Sequence, residues 1–338
     1  MIFVYVGIKD MIDNTHAVIP CKRFTDSINE LRKTYCDRLI AIAREDSRIV
    51  AVEADVMSSM GTTGFASEFP ERSINCGIQE ANAVAMAAAM SLEGFIPFFH
   101  AFGPFATRRV FDQVFLSCGY QHANVKIIGG DAGISATANG GTHMPLEDIS
   151  LMRNIPDMTI LEPADTVAMK SAVPQMVANQ GNVYCRSTRK KVIDVYHENA
   201  RFEIGEASLV RDGNDVVIFT SGIMLPESLA AADRLLDECI SAAVIDLFCI
   251  QPADTIAILT YLEKCKAAVT VENHSVNGGL GSLICEIAAE KYPVPIQRIG
   301  VRNSYGEVGT IESLKDRFHM NAADIINASK EVIRRKEM

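Results

Sequence analysis

No run of apolar residues in this 338-residue sequence approaches the roughly 20 needed to span a bilayer, which argues against a membrane helix. The opening stretch Met1–Ile8 is apolar, but it is short and interrupted at once by Lys9 and Asp10, so it does not read as a secretory signal. Cysteine occurs nine times, yet never in paired spacing or as C-x-x-C, which excludes a disulfide framework and a dithiol redox motif. Basic clusters are missing as well: the formal net charge is −10, and no Lys/Arg stripe offers a nucleic-acid footprint. Internal repeats and low-complexity segments are absent. The expectation left standing is a reduced, cytoplasmic α/β protein with neither nucleic acid nor membrane as a partner.

The length suffices for two ordinary domains. Short β-branched runs alternate with helical patterns, the mark of parallel sheets flanked by helices. Leu31, Tyr35, Leu39 and Ile42 recur at helical spacing, and Ile49–Val52 reads as a buried strand delivering Glu53, Ala54 and Asp55 to its carboxyl end. An Ala-rich helix begins near Glu80 and stops near Gly94. Strands are predicted at Ile96–Phe99, Val125–Ile128, Thr159–Leu161 and Val183–Cys185, with helices over Thr107–Leu116 and from Asp165. After a polar, aperiodic stretch the rhythm restarts. Strands are predicted at Val216–Phe219, Ala243–Asp246 and Val269–Glu272, with helices over Leu225–Cys239 and Thr255–Lys264, then a glycine turn and a helix to about Lys291. The predicted architecture is α/β, two doubly wound, mostly parallel-sheet domains. Its expected divisions are an N-terminal extension over 1–24, a first domain over 25–190, a linker over 191–203 and a second domain over 204–338.

Glu80 sits in Gly77-Ile78-Gln79-Glu80-Ala81-Asn82-Ala83, one acid in the first turn of a small-residue helix. For a solitary Glu the helix macrodipole alone accounts for that place. Here it has company. Phe99, Phe102 and Phe105 follow at intervals of three, with Pro104 between them, and Arg109-Val110-Phe111-Asp112-Gln113 comes next. A glycine-rich loop then carries Asn139-Gly140-Gly141-Thr142-His143-Met144-Pro145-Leu146-Glu147-Asp148, after a strand end, where open α/β sheets bind ligands. Guanidinium forks joined by hydroxyl and imidazole donors would suit a tetrahedral oxyanion, phosphate or sulfonate alike. Gly278-Gly279-Leu280-Gly281 lacks the G-x-G-x-x-G spacing of a nucleotide loop.

In this order the segments resemble the transketolase family, from about Arg32 to about Ala328. The G-I-x-E helix start, the F-x-x-F-x-x-F spacing, the R-x-F-D-Q segment and the G-T-H-M-P-x-E-D loop carry the resemblance. Val271-Glu272-Asn273-His274 and its glycine turn are similar to the family's C-terminal domain. The resemblance implies a pyrimidine-binding domain followed by that C-terminal domain, together the C-terminal subunit of a split, thiamine-diphosphate-dependent transketolase. In the family, the glutamate at the place of Glu80 hydrogen-bonds the aminopyrimidine ring and starts catalysis. The aromatics matching Phe99, Phe102 and Phe105 form a slot around that ring, and the aspartate matching Asp55 approaches the cofactor. Residues matching Arg32, Ser59, His143 and Arg186 converge on the substrate's anionic tail, with His143 holding it for the transfer. Asn139 stands where many members use Asp to read the acceptor sugar, and Gly141 replaces a proline.

No G-D-G…N segment is present to hold the cofactor's diphosphate and metal, and none of these site residues is expected to ligate a metal. The resemblance therefore implies a partner subunit that supplies Mg2+ or Ca2+ and the diphosphate site, in an α2β2 assembly. The implied reaction moves a two-carbon ketol unit from a ketose phosphate, or a similarly anionic ketose, to an aldose. Two rival readings stay open on the sequence. One is a non-catalytic scaffold or regulatory subunit; the other is a related thiamine-diphosphate enzyme, such as a deoxyxylulose-phosphate synthase-like or 2-oxoacid dehydrogenase β-type subunit.

Overall fold

The computed structural model describes residues 11–337, and the apolar stretch Met1–Ile8 lies outside them. Ile49–Glu53 is buried at every position, as a strand covered by helices on both faces must be. It pairs in parallel with Ser73–Asn75 on one side and Ile96–Phe102 on the other. Lys126–Gly130, Val183–Arg186 and Thr159–Leu161 continue the sheet in parallel. A seventh strand, Cys249–Gln251, closes its edge antiparallel and comes from the second half of the chain.

The second sheet runs parallel through Ile296–Val301, Ala268–Ser275, Val216–Thr220 and Ala242–Asp246. Ser208–Arg211 adds an antiparallel strand, and Ile12–Asp13, from the opposite end of the sequence, pairs beyond it. Each half thus carries an edge strand of the other's sheet. Lys191–Ile193, within the stretch read as a linker, is a strand that pairs antiparallel with Asp26–Glu30. Among the described residues, no helix is long and apolar enough to cross a membrane, and all nine cysteines are free thiols.

Local sequence explains the helix boundaries. Asp165 caps the helix Thr166–Ala178 by accepting from the amides of Val167 (2.9 Å) and Ala168 (3.0 Å). The helix Glu80–Leu92 is built largely from alanine, the best helix former, and buries Ala83, Val84, Ala87 and Ala88 against the sheet. The continuous helix expected over Thr107–Leu116 does not form. Thr107 leaves helical space (φ −123°, ψ −88°), and its hydroxyl donates to the Gly103 carbonyl at 2.7 Å. The chain then proceeds as a 3₁₀ turn at Arg108–Val110, a single turn at Phe111–Gln113 and a π-helix at Val114–Tyr120.

Between the two domains lies a buried polar cluster centred on Arg186. Its Nε donates to Asp148 Oδ2 at 2.8 Å, its guanidinium also reaches Asp148 Oδ1 at 3.1 Å and the Asn273 carbonyl at 3.0 Å, and its remaining nitrogen pairs with Glu162. Tyr184 donates to the same Asp148 carboxylate at 2.6 Å, and Ser221 of the second domain donates to Glu162. Asn273 does more than accept. Its side-chain amide donates to the Ala132 carbonyl at 2.9 Å and its oxygen accepts from the Ile134 amide at 2.8 Å, while Gly133 (φ 50°) leaves no room for a Cβ beside it. The second domain therefore pins the loop that leaves the Lys126–Gly130 strand. Replacing Arg186 by Met should strand the Asp148 and Glu162 carboxylates in a dry interior, lowering the unfolding free energy in urea by about 3–5 kcal/mol.

Candidate active site

The carboxyl ends of the parallel strands share one edge of the first sheet, and the loops there bring most of the sequence-expected residues together. Glu80 is the first residue of its helix, following a turn at Gly77 (φ 73°), and is only 4% exposed. Its carboxylate accepts from the Arg109 guanidinium at 2.6 Å. That guanidinium also stacks on Phe105, 3.6 Å above the ring centroid. Arg109 owes this reach to the break at Thr107, which a straight helix would not have allowed. Phe105 and Phe102 meet edge to face at 6.1 Å, and His143 completes a trio at 5.0 Å and 5.6 Å from them.

Phe99 is not part of this group. It is wholly buried in the core with Val52, Ala83 and Ala101. The reason is strand parity: residues 99 and 102 are an odd number apart on Ile96–Phe102 and so face opposite sides of the sheet. Two rings, rather than three, border the cleft. Arg186 is also absent from it, sealed in the interdomain cluster with every nitrogen committed. A residue that the motifs do not single out stands at the cleft instead. Arg189 lies three positions beyond the strand end, half-buried, with its guanidinium 5.3 Å from the Phe102 ring centroid and 2.6 Å from Asp131 Oδ2. The signal for it is the length of the Val183–Arg186 strand, which takes Arg186 inside and leaves the next arginine in the loop.

Asp131 is likewise outside the motifs. It follows Gly129 and Gly130 at the end of its strand and adopts φ 56°, a conformation unusual for a residue with a Cβ. Arg32 holds the turn that carries Ser59: it donates to the Ser58 and Ser59 carbonyls at 3.1 and 2.7 Å, and pairs with Glu30 at 2.7 Å. That turn abuts the Asp131 strand, because a Cβ on Gly130 would come within 2.5 Å of the Met60 sulfur. Asp55 is exposed with φ 60°, its amide donating to the Asn75 side chain at 3.1 Å. Asn139 is exposed in the His143 loop. Arg108 clamps that loop, donating to the Thr142 carbonyl at 3.0 Å and to Glu147 at 2.7 Å. Below the site floor, buried Glu53 accepts from Thr62 at 2.6 Å and lies 3.0 Å from His100, whose other ring nitrogen meets the Tyr35 hydroxyl at 2.7 Å.

Burial, and then the charges of Arg109 and Arg189, hold the His143 pKa below the ordinary 6.5, so the ring is neutral at physiological pH. Cavities of about 410 and 570 Å³ lie elsewhere, one lined by Arg298, Arg302 and His319, the other by Asp37, Arg38 and Lys170, and neither includes Glu80, Phe102 or His143. Beside the site, Ile78, Leu92, Phe115, Leu116 and Tyr120 are exposed, large and apolar, on or next to the Glu80 helix and the π-helix packed against it.

The family model described as transketolase, pyrimidine binding domain matches residues 29–193, and that for the transketolase C-terminal domain matches residues 205–325. This chain belongs to the transketolase family. It is 46% identical over 306 residues to the 6-deoxy-6-sulfo-D-fructose transketolase subunit SqwH of Clostridium sp. (strain MSTE9), covering 90% of this chain and 95% of that protein. It is 32% identical to an apulose-4-phosphate transketolase subunit of Phocaeicola vulgatus, covering 90% of this chain and 97% of that protein. Among solved structures it resembles a split-gene transketolase described as an inactive β4 tetramer, with TM-score 0.83 and 35% identity over 90% of this chain and 98% of that one. The chain therefore corresponds to the C-terminal subunit of a split transketolase.

The electrostatics of the cleft give a checkable number. In an NMR titration His143 should titrate with a midpoint below 6.5, and Arg189→Gln should move that midpoint upward, because removing a like charge favours the imidazolium. The linked stability change has the same sign. The unfolded chain takes up this proton first, so the His143 contribution is present above pH 6.5 and is lost as the pH falls.

Proposed function

We propose that this chain is the pyrimidine-side half of a two-chain transketolase, moving a two-carbon ketol unit from an anion-tailed ketose to an aldose. The observation that carries this reading is the buried Glu80 carboxylate at a helix start, held by Arg109, whose guanidinium stacks on Phe105 with Phe102 packed against that ring. A carboxyl with one strong partner, set beside half-buried aromatic edges, fits a flat heteroaromatic ring that must be both gripped and polarised. Thiamine diphosphate, when bound, supplies the nucleophilic carbon that takes up and releases the ketol fragment.

The chain's own residues have separable tasks. Glu80 would hold the pyrimidine by a hydrogen bond and fix where its proton resides. Phe102 and Phe105 would give the ring its apolar wall, and Asp55 would face the cofactor from the neighbouring strand end. Neutral His143 would recognise the substrate by hydrogen bonding rather than charge. Arg189 would take the tail-binding role that the sequence suggested for Arg186, and Arg32, Ser59 and Asn139 keep the substrate-binding roles expected of them. Positioning of this kind, more than added reactivity, is what the protein contributes to a transfer between two sugars.

A partner chain would supply the diphosphate and metal sites. The exposed apolar residues around the Glu80 helix are a suitable docking face for such a chain. An α2β2 assembly, in the cytoplasm, is the closed arrangement we propose. The test is reconstitution with a chain carrying the diphosphate segment, thiamine diphosphate and Mg2+, followed by an assay of ketol transfer. Wild type should be active only as the pair, and Glu80→Gln should lose about 100-fold or more in kcat while still assembling. A pair that binds cofactor but transfers nothing would point to a scaffold role.

A further inference from the structure

Four guanidiniums stand in the cleft and its rim, and each is already matched by a carboxylate. Arg32 pairs with Glu30 at 2.7 Å, Arg108 with Glu147 at 2.7 Å, Arg109 with Glu80 at 2.6 Å and Arg189 with Asp131 at 2.6 Å. Two of these carboxylates have other evident work, since Glu80 is the proposed cofactor acid and Glu147 caps its own loop through the Leu146 amide; Glu30 is 40% exposed, so water screens its charge. Asp131 is the exception.

Its side chain is 3% exposed, although nothing about a strand end requires an acid there. It accepts twice from a single residue, from the Arg189 guanidinium through Oδ2 and from the Arg189 amide through Oδ1 at 3.3 Å. The backbone of Asp131 is held at φ 56°, and the next residue, Ala132, is tied by its carbonyl to Asn273 of the second domain. The carboxylate is therefore fixed against the guanidinium and cannot swing away when an anion arrives. An incoming anion meets Arg189 with one unit of charge already cancelled. The neighbouring imidazole adds none, since His143 is neutral at physiological pH.

Tetrahedral tails differ in this respect. A phosphate monoester carries about −1.5 to −2 at pH 7, whereas a sulfonate, with no second proton to lose, carries a single charge. Shape and acceptor geometry are nearly the same, so a site discriminates between them mainly through charge. A fixed like charge beside the recognition guanidinium is the device that does so.

We infer that Asp131 is the specificity-determining residue of this cleft, setting it for a singly charged tail, such as the sulfonate of a sulfoketose, and against a doubly charged phosphate. The inference rests on the ketol-transfer reading above and deepens it. Because wild type and variant are compared in the same assembled complex, whatever charge a partner chain contributes cancels from the comparison.

The experiment uses the reconstituted two-chain complex with 6-deoxy-6-sulfofructose and fructose 6-phosphate, which share a carbon skeleton and differ in the tail. Steady-state kcat/KM and calorimetric Kd are measured for both, in wild type and Asp131→Asn. Asparagine keeps the shape and the acceptor for the Arg189 amide but removes the charge. Wild type should favour the sulfonate by about tenfold or more, and D131N should shift the ratio about tenfold toward the phosphate, through KM with little change in kcat. A ratio that is the same in both proteins, or a wild type that favours phosphate, overturns the inference. Should D131N fail to fold, the wild-type complex still decides. Methanesulfonate should then compete with the donor more strongly than methylphosphonate under mildly alkaline conditions, and the reverse order overturns the inference. Selective binding of the sulfonate without any transfer would keep Asp131 as the selector and sink the transferase reading. Transfer indifferent to the tail would do the opposite.

Discussion

Arg186 is the interaction on which the rest of the molecule depends, because its partners come from three directions. Asp148 lies at the start of a helix after the His143 loop, Glu162 follows a neighbouring strand, and the Asn273 carbonyl belongs to the second domain. A guanidinium buried this deeply is tolerable only when every donor is satisfied, so the three elements have one permitted arrangement. From Asn273 the constraint passes onward through its side-chain amide to the loop at Ala132 and Ile134. Asp131 and the His143 loop therefore inherit their positions from a residue in another domain. The second domain thus keeps the cleft's shape, and its Tyr305–Gly309 segment also packs against the Gly140–Gly141 turn of the His143 loop.

Charge around the cleft is held in equally close pairings. Arg109 serves Glu80 and Phe105 together, and Arg108 fixes the loop bearing His143 by gripping both a carbonyl and Glu147. These pairings orient side chains that would otherwise be long and mobile, and each offsets the charge of its guanidinium. Neutral surroundings of this kind recognise by geometry first. An anion is read less by bulk attraction than by whether its charge matches the few donors left to it.

Much of this is legible in the sequence. The buried strand from Ile49, the helix starting near Asp165 and the onset of the Glu80 helix follow from local pattern, whereas the grouping of Glu80 with Phe102, Phe105 and His143 comes from the family resemblance. The departures share a cause. Whether Arg186 or Arg189 faces the cleft depends on the last residue of a strand, and strand ends are where local pattern is weakest. Phe99 falls on the wrong side because a spacing of three suggests one surface, whereas a strand alternates with a period of two. The helix expected over Thr107–Leu116 is broken by a hydroxyl that competes with the backbone, an event visible only once the Gly103 carbonyl is nearby. Edge strands such as Ile12–Asp13 and Cys249–Gln251 leave no local trace, since their partners lie far along the chain.

That exchange of edge strands has a bearing on how the chain comes into being. Ile12 pairs with Ser208, so a segment made earlier waits for a partner that follows it by nearly two hundred residues. The first sheet, in turn, lacks its edge until Cys249 arrives to meet Leu161. Until then each nascent half presents an open row of amides and carbonyls, available to any other strand in the cell. The two domains are thus woven rather than strung. A gene cut between them would yield two fragments, each missing a strand that only the other can return.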